Sequence, residues 1–153
     1  MPKLTMLLGL PRSGKTSWVE DNKSNQVVVS ADSLRYLVYN QRFWADGEAL
    51  MWSLRTMILK YLISQGVDII IDETNILAKS RASIIKLARS LDAKNKYWID
   101  CVVMKDAGNT ELCIERAKTG NMEDLVPVIE RMAEQLELPD KSEGIDEIYF
   151  WNR

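Results

Sequence analysis

Short apolar runs alternate along the chain with longer stretches of mixed polarity. The runs are five to eight residues long and several are rich in β-branched residues, which predicts buried strands. We place five of them, at residues 4–9, 26–30, 67–74, 97–104 and 145–151. Between the runs, apolar residues recur at three- and four-residue steps, which predicts amphipathic helices. This regular alternation predicts an α/β fold with a mainly parallel sheet of five strands.

Glycine and proline residues indicate where helices begin and end. The pattern over 31–65 predicts two helices that break near 45–47, and Gly66 is placed to cap the second one. Pro127 is placed at the start of a later helix, where its missing amide costs no hydrogen bond. No internal repeat, low-complexity tract or linker divides the sequence. We therefore expect residues 1–153 to form a single domain.

Composition narrows the classes of protein to which the chain can belong. A length of 153 residues suffices for a domain core, and a net charge of −2 gives no overall basic field for coating duplex nucleic acid. The absence of histidine excludes histidine-based acid–base catalysis and histidine metal sites. Cys101 and Cys113 lack metal-ligand spacing and are expected to be buried thiols. No apolar run is long enough to span a membrane, and we expect a cytoplasmic protein.

The segment GLPRSGKT joins the first predicted strand to a helix and matches the phosphate-binding pattern G-x-x-x-x-G-K-T. The glycines of such a loop permit a tight turn and a close backbone approach, and the loop amides point at phosphate oxygens. Lys15 is placed to supply a cation to the β- and γ-phosphates, and the Thr16 hydroxyl to bind magnesium. We expect the nucleotide to contact Gly9, Arg12, Ser13, Gly14, Lys15, Thr16 and Ser17.

The phosphate loop alone does not say what is done with the nucleotide. A regulatory GTPase is not expected, because no aspartate has glycine three positions on and no Asn-Lys-x-Asp base reader is present. A motor ATPase normally needs a longer chain. The length and the loop together favour a kinase.

An acidic and a basic side chain follow the second predicted strand. Asp32 and Arg35 lie three positions apart, so they share one face of a helix that starts at the edge where α/β sheets bind ligands. We expect Asp32 to deprotonate an acceptor hydroxyl, and Arg35 to hold an anionic group on the acceptor, such as a phosphodiester. In the alternative interpretation Asp32 only caps the helix and pairs with Arg35.

The third predicted strand ends in the sequence DETN. Asp72 or Glu73 is placed to approach magnesium, but side chains alternate along a strand, so only one of the two can face the nucleotide. The sequence leaves both open. Thr74 and Asn75 are expected to contact the acceptor or Asp32, with a turn and helix cap as the alternative.

Aromatic residues concentrate between the second strand and the long helix. A terminal base that stacked on one of them would gain about 1–3 kcal/mol. Trp44 is the best candidate, because the surrounding RFWADG resembles an exposed bend. Packing in the core is the alternative for the whole group, which comprises Tyr36, Tyr39, Phe43, Trp44 and Trp52.

Together these segments resemble the 5′-hydroxyl polynucleotide kinases of phage and repair systems. GLPRSGKTSW is similar to that family's loop, ADSLR matches its Asp-x-x-Arg, and DETN followed by Arg81 resembles its acid-Thr-Asn…Arg block. The stretch from ERAKTG to LELP resembles its lid, and EGIDEIYF resembles its closing stretch. The resemblance spans nearly the whole chain. It implies a three-layer P-loop NTPase kinase fold with a helical lid at about 116–127.

The resemblance also implies an activity. It implies ATP or another NTP as donor, Mg²⁺ as cofactor, and transfer of the γ-phosphate to the 5′-hydroxyl end of single-stranded DNA or RNA. In the family the matching aspartate activates the hydroxyl and the matching arginine contacts the 3′-phosphate of the end nucleotide, which supports these roles for Asp32 and Arg35. The chain is expected to act away from membranes, alone or as a homo-oligomer.

The predicted lid departs from the family in one respect. The family carries two lid arginines four residues apart over the triphosphate; Arg116 matches the first, and Gly120 stands where the second would fall. Lys118 is the nearest other cation of the lid, and Arg12 occupies a loop position where the family often has glycine. We expect Arg116, with Lys118, to close over the transferred phosphate, and we hypothesise that Arg12 supplies the missing cation.

Two other functions stay open at this point. A kinase for a nucleoside, nucleotide or other small alcohol is favoured by the net acidity and the incomplete lid, although Arg35 has little to do beside an uncharged acceptor. A nucleotide-binding regulator without transfer activity is disfavoured by Asp32, because a protein that only binds needs no base there.

Overall fold

The structure is a computed structural model that describes residues 1–90, 96–105 and 109–151. Its strands are β1 (Lys3–Leu8), β2 (Val27–Ser30), β3 (Ile69–Asp72), β4 (Trp98–Met104) and β5 (Glu147–Trp151). Its α-helices are α1 (Lys15–Asn22), α2 (Ala31–Tyr39), α3 (Glu48–Gln65), α4 (Ala78–Ser90), α5 (Thr110–Thr119) and α6 (Val126–Gln135). Short 3₁₀ turns cover Ala45–Gly47, Glu123–Leu125 and Lys141–Glu143.

The five strands form one sheet in the order β2-β3-β1-β4-β5, and every neighbouring pair is parallel. The predicted α/β fold with a parallel five-stranded sheet is therefore confirmed. β1 lies in the middle, between β3 and β4, and α/β folds bind ligands where the strand order reverses in this way. The carboxyl ends of β1, β2 and β3 lie side by side, so the segments that follow these strands meet at one edge.

Helices lie on both faces of the sheet and enclose an apolar core. β1 and β3 are buried along almost their whole length, as expected for parallel strands covered on both sides. Burying one leucine or isoleucine side chain stabilises a fold by about 1.5–3 kcal/mol. The buried side chains from α3 and α4 include Met51, Leu59, Ile63, Ile84, Ile85 and Ala88. Within the described ranges, every helix is too short or too polar to cross a membrane.

A second, smaller apolar cluster joins the phosphate loop to the last two helices. Leu10 of the loop is fully buried against Cys113 and Ala117 of α5 and Ile129 of α6. The predicted lid at 116–127 corresponds to the end of α5, the following 3₁₀ turn and the start of α6. This part of the chain therefore packs directly on the loop that precedes α1.

The predicted break between two helices is present. α2 ends at Tyr39, after which Asn40 adopts a left-handed conformation with φ 56°, and α3 begins at Glu48. Gly47 has no room for a side chain, because a Cβ there would lie 2.5 Å from the Tyr39 ring. Gly66 caps α3 with φ 65°, as predicted.

Arg81 is fully buried on α4 and joins three parts of the chain. Its guanidinium donates to the Glu143 carboxylate at 2.9 Å and to the backbone oxygens of Asn75 and Glu137 at 2.8 and 2.9 Å. A buried charge needs such a full set of partners. Arg81 thus ties the segment after β3 to the segment that follows α6 and to the turn before β5.

The two cysteines are buried, as predicted, and no disulfide joins them. Cys101 lies on β4 and Cys113 on α5. Burial raises the pKa of the Cys101 thiol to about 12, so this thiol stays protonated at neutral pH. Neither the sheet nor the lid therefore depends on a covalent cross-link.

Candidate active site

The phosphate loop lies between β1 and α1 and has unpaired polar groups. Gly14 caps α1 with φ 106°, and the first amides of the helix have no partner within it. Gly9 cannot carry a side chain, because a Cβ there would lie 2.2 Å from Ser13 Oγ. Ser13 Oγ is buried and has no hydrogen-bond partner among the described residues. Unpaired amides at the positive end of a helix, with an unpaired hydroxyl beside them, suit a phosphate group.

Lys15 folds back over its own loop. Its Nζ donates to the carbonyl oxygens of Gly9 at 3.0 Å and Leu10 at 2.8 Å. Burial lowers the pKa of Lys15 to about 8, and the nearby carboxylates of Asp72 and Asp32 oppose this shift. The structure therefore brings both predicted acids into the field of the predicted phosphate-binding lysine.

Asp32 lies at the start of α2, but it is not the helix cap. The cap is Ser30, whose hydroxyl accepts a hydrogen bond from the Ser33 amide at 3.2 Å. The alternative interpretation of Asp32 as a cap is therefore wrong, although its ion pair with Arg35 is present at 2.8 Å. The Asp32 side chain is 79% exposed, so a carboxylate oxygen remains open to an acceptor.

Arg35 is held on its other side by a residue that sequence reasoning missed. Its Nε lies 3.0 Å from Glu48 Oε2 and its Nη2 lies 2.9 Å from Glu48 Oε1. Tyr39 adds a hydrogen bond from its hydroxyl to the same carboxylate, 2.5 Å long. Hydrogen bonding to Arg35 lowers the pKa of Glu48, so Glu48 is ionised at neutral pH. The sequence offers one signal for this contact, namely that an arginine on α2 needs a carboxylate partner.

The two acids after β3 have different surroundings. Glu73 accepts two hydrogen bonds from Arg55 of α3, at 2.7 and 2.8 Å, and both side chains are largely buried. Asp72 instead lies near Lys15; burial raises its pKa, and Lys15 opposes the rise. Of the two acids, Asp72 is therefore the one near Lys15, whereas Glu73 is engaged by Arg55.

Thr74 and Asn75 do not lie together at the acceptor edge. Asn75 is buried with φ 47°, and its Nδ2 donates to the Leu7 carbonyl at 2.7 Å, which anchors it to β1. The Thr74 carbonyl accepts from the Gly9 amide at 3.0 Å. The structure therefore gives Asn75 a structural contact in place of the predicted acceptor contact, while the half-buried Thr74 side chain stays a candidate.

Aromatic side chains are exposed beside Asp32 and Arg35. Trp44 is 46% exposed and packs edge-on against Tyr39, with ring centres 5.8 Å apart. Trp52 lies between two guanidinium groups, 5.7 Å from Arg35 and 5.4 Å from Arg55. Both rings are partly exposed, so they do not belong to the buried core, and Trp44 stays a candidate for stacking.

The lid residues approach the loop from α5. Arg116 Nη1 donates to the Arg12 carbonyl at 3.1 Å. A Cβ built at Gly120 would lie 3.1 Å from Nη2 of Arg12, so the Arg12 guanidinium lies against the end of α5. Lys118 is exposed, and its ammonium pairs with no carboxylate among the described residues. Arg116 and Arg12 thus meet at the loop.

A further ion pair joins the predicted lid to the segment between α2 and α3. Arg42, in the segment between α2 and α3, donates to Asp124 of the lid at 2.6 Å. Both side chains are partly exposed, so the pair contributes about 0–1 kcal/mol. It marks where the lid lies against the segment that carries Trp44.

The oxygen donors at the edge suit magnesium. Mg²⁺ prefers oxygen ligands and is usually held by one or two protein groups together with water and substrate phosphates. Thr16 has an exposed side chain at the start of α1, and the Asp72 carboxylate lies near the adjacent Lys15. No group of three or more acidic or cysteine side chains among the described residues forms a complete metal cage. Thr16 and Asp72 are therefore the residues that fit this ion.

Comparisons with known proteins agree with this fold. The profile of a family described as an AAA domain matches residues 4–138, and no curated protein sequence matches the chain. A chain of the Pnkp1/Rnl/Hen1 RNA repair complex is 19% identical, with a TM-score of 0.60 over 89% of this chain and 46% of that one. The APS kinase CysC of Mycobacterium tuberculosis is 18% identical, with a TM-score of 0.56 over 99% and 90% of the two chains. A gluconokinase from Sinorhizobium meliloti is 14% identical, with a TM-score of 0.57 over 97% and 81%.

At these identities the likeness is one of fold. The shared feature is a parallel five-stranded sheet with helices on both sides, the P-loop kinase fold that the sequence predicts. In another structure of the RNA repair complex the chain spans 35% of the matched chain. It therefore corresponds to only a part of that protein.

Proposed function

The chain belongs to the AAA domain family, and from its P-loop kinase fold we propose that it transfers the γ-phosphate of ATP to the 5′-hydroxyl end of a polynucleotide. ATP-dependent phosphoryl transfer follows from the fold and the phosphate loop. The polynucleotide acceptor is the specific part of the proposal. Residues 1–153 would act as one kinase domain on an end of DNA or RNA.

The donor side consists of the loop, Lys15 and the lid. Phosphoryl transfer is mostly positioning and charge stabilisation, so the chain needs donors placed around the phosphate oxygens. Loop amides and the unpaired Ser13 hydroxyl supply neutral donors. Lys15 exchanges its two loop carbonyls for phosphate oxygens, and Arg116 closes from α5. Magnesium, held by Thr16 and Asp72, would neutralise charge on the phosphates.

The acceptor side consists of Asp32 and Arg35. The exposed Asp32 carboxylate orients the 5′-hydroxyl and takes its proton as the oxygen attacks. Arginine has five N–H groups, and Glu48 and Asp32 engage three of them in Arg35. Two N–H groups therefore remain for the phosphodiester next to the end nucleotide. Trp44 would receive the terminal base.

One observation carries the proposal. An exposed carboxylate near the phosphate-loop lysine is paired with an arginine that Glu48 holds on its other side, and the partly exposed Trp44 ring belongs to the same region. A base, an anion-binding group and a stacking surface in one place match the three parts of a nucleic-acid end. Resemblance to polynucleotide kinases and likeness in fold to a chain of an RNA repair complex support the same acceptor.

A parallel labelling assay tests the proposal. The protein is incubated with γ-labelled ATP and Mg²⁺ and, in separate reactions, with 5′-hydroxyl DNA and RNA oligonucleotides, 3′-nucleotides or nucleosides. We expect label on the oligonucleotides, and none on oligonucleotides that already carry a 5′-phosphate. Label on nucleosides without label on oligonucleotides would contradict the polynucleotide acceptor, and no label anywhere would contradict transfer altogether.

The second candidate is a kinase for a nucleoside, nucleotide or other small alcohol. It is favoured by the fact that Arg35 is already paired with two carboxylates, which neutralise its charge before any acceptor binds. The structural neighbours include an APS kinase and a gluconokinase, which is consistent with a small-molecule acceptor. The nucleoside reactions of the labelling assay separate the two candidates.

A further inference from the structure

Arg12 differs from five other arginines of the chain. It lies inside the phosphate loop, it is exposed, and no carboxylate among the described residues pairs with it. Five other arginines are each bound to a carboxylate, namely Arg35, Arg42, Arg55, Arg81 and Arg89. Arg12 is therefore a cation of the phosphate loop that no carboxylate in the described ranges neutralises.

The backbone of Arg12 is strained. Its φ of 68° lies in the left-handed region, which residues with a Cβ seldom adopt and which glycine adopts freely. Backbone strain of this kind is concentrated at active sites and ligand clamps. The choice of arginine at a position that suits glycine thus needs an explanation from its guanidinium.

Gly120 provides the space in which that guanidinium lies. Gly120 has φ −85°, which any residue can adopt, so its backbone does not require glycine. A Cβ there would lie 3.1 Å from Nη2 and 3.6 Å from Cζ of Arg12, so a larger side chain would displace the guanidinium. The lack of a side chain at Gly120 therefore leaves room for the Arg12 guanidinium against the end of α5.

We propose that Arg12 is a catalytic cation, carried by the phosphate loop and seated against Gly120, that binds the γ-phosphate during transfer. In the reaction the bond between the γ-phosphorus and the bridging oxygen breaks, a bond to the acceptor oxygen forms, and the hydroxyl proton goes to Asp32. Arg12 stabilises the negative charge on the transferring group, as a trans-acting arginine does elsewhere. The inference rests on the phosphoryl transfer proposed above, and it is independent of which acceptor is used.

Nucleotide binding gives the first test. Affinities for ADP and for a non-hydrolysable ATP analogue, both with Mg²⁺, are measured by calorimetry for the unaltered chain and for Arg12→Gly. We expect Arg12→Gly to lose roughly tenfold or more in affinity for the ATP analogue, the effect of one charge-assisted hydrogen bond, with ADP affinity unchanged. Arg131→Ala, which removes an exposed arginine from α6, is the matched control. Equal losses for the two nucleotides, or none, would overturn the inference.

Thermal stability distinguishes a catalytic role from a structural one. Arg12→Gly keeps the backbone carbonyl that Arg116 binds and relieves the left-handed strain, so we expect its unfolding midpoint to stay the same or to rise. Its rate of phosphoryl transfer should fall by on the order of 10³-fold, the lower end of the range for arginine fingers. A lower midpoint together with unchanged transfer would show that Arg12 is merely structural.

A swap of the two positions gives the last test. The double variant Arg12→Gly with Gly120→Arg carries the cation on α5 instead of the loop, and we expect it to regain part of the preference for the ATP analogue. If the double variant binds the ATP analogue as weakly as Arg12→Gly does, a guanidinium on α5 cannot take the place of the one on the loop, and the inference is contradicted. The binding tests use no acceptor, so they are independent of the labelling assay. If Arg12→Gly selectively loses affinity for the ATP analogue while the unaltered chain labels no oligonucleotide, the role of Arg12 is upheld and only the polynucleotide acceptor is refuted.

Discussion

The Arg35 guanidinium lies between two carboxylates. Its Nη2 is 2.9 Å from a Glu48 oxygen and its Nη1 is 2.8 Å from an Asp32 oxygen. Glu48 is the better shielded of the two, since its side chain is 19% exposed and that of Asp32 is 79% exposed. Arg35 is thus fixed by Glu48 and in turn positions Asp32. The proposed base is held in place before any acceptor arrives.

Glu48→Ala should slow transfer without weakening ATP binding. Without Glu48, Arg35 loses its anchor and shifts its remaining donors onto Asp32, which misplaces the base. We expect kcat to fall roughly 10²-fold, the lower end of what general-base catalysis contributes, with the Kd for ATP unchanged. Glu134→Ala, at an exposed position on α6, is the control. An equal loss of ATP affinity would show that Glu48 supports the donor site instead.

The stabilising effect of Glu48 should depend on pH. Hydrogen bonding to Arg35 lowers the pKa of Glu48 below its ordinary value of 4.5, so its contribution is fully present above that value and is lost as the pH falls through the lowered one. We expect Glu48→Gln to reduce the free energy of unfolding by about 1–3 kcal/mol at neutral pH. Urea unfolding should show this difference narrowing as the pH falls below 4.5. A constant difference across the acidic range would contradict the ionised pair.

Asp32→Asn should abolish transfer while ATP still binds. The amide keeps the size of the carboxylate but cannot take a proton, and the loss of a general base costs roughly 10²–10⁴ in rate. Transfer is measured with labelled ATP, and ATP binding by calorimetry. Asp46→Asn, at an exposed position before α3, is the matched control. Turnover retained in Asp32→Asn would mean that Asp32 only orders α2.

Substitutions at Asp72 and Glu73 should separate an effect on magnesium binding from an effect on stability. Glu73→Ala leaves Arg55 largely buried without its partner, which costs about 3–5 kcal/mol of stability. Asp72→Asn removes a charge that burial already disfavours, so stability should hold while the Mg²⁺ concentration for half-maximal transfer rises. Thermal melts and a magnesium titration of the two variants test the assignment. The reverse pattern would place Glu73 at the metal.

Trp44→Ala should weaken the acceptor and leave the donor unaffected. If the terminal base stacks on this ring, its removal costs about 1–3 kcal/mol, which appears as a higher KM for an oligonucleotide. The KM for ATP should stay the same. Trp98→Ala, at the distant amino end of β4, removes a tryptophan that is similarly exposed and serves as the control. An unchanged KM for the oligonucleotide would show that Trp44 only packs against Tyr39 and does not bind the terminal base.

The fold could be predicted from sequence because its signals are local. Apolar runs, helical periodicity and capping glycines act over a few residues, and they located the five strands, the helix break and the Gly66 cap. The strand ends were less accurate, since the last strand begins at Glu147 where the pattern suggested residue 145. The phosphate loop was predictable for the same reason, because its glycines, lysine and threonine are contiguous.

The site partners could not be predicted because they are distant in sequence. Glu48 lies 13 residues from Arg35, and Arg55 lies 18 residues from Glu73. Which carboxylate meets which arginine depends on how α2 and α3 pack, and no local pattern encodes that. The contact of the Asn75 amide was not predictable for a related reason, since its partner is the Leu7 carbonyl on β1.

Leu10 links the state of the phosphate loop to the state of the lid. Its side chain belongs to the loop, yet it is buried among apolar residues of α5 and α6. Moving these helices away would expose this leucine to water, so a nucleotide that orders the loop also raises the free energy for separating them. Through this one buried side chain, nucleotide binding at the loop would also stabilise the packing of α5 and α6.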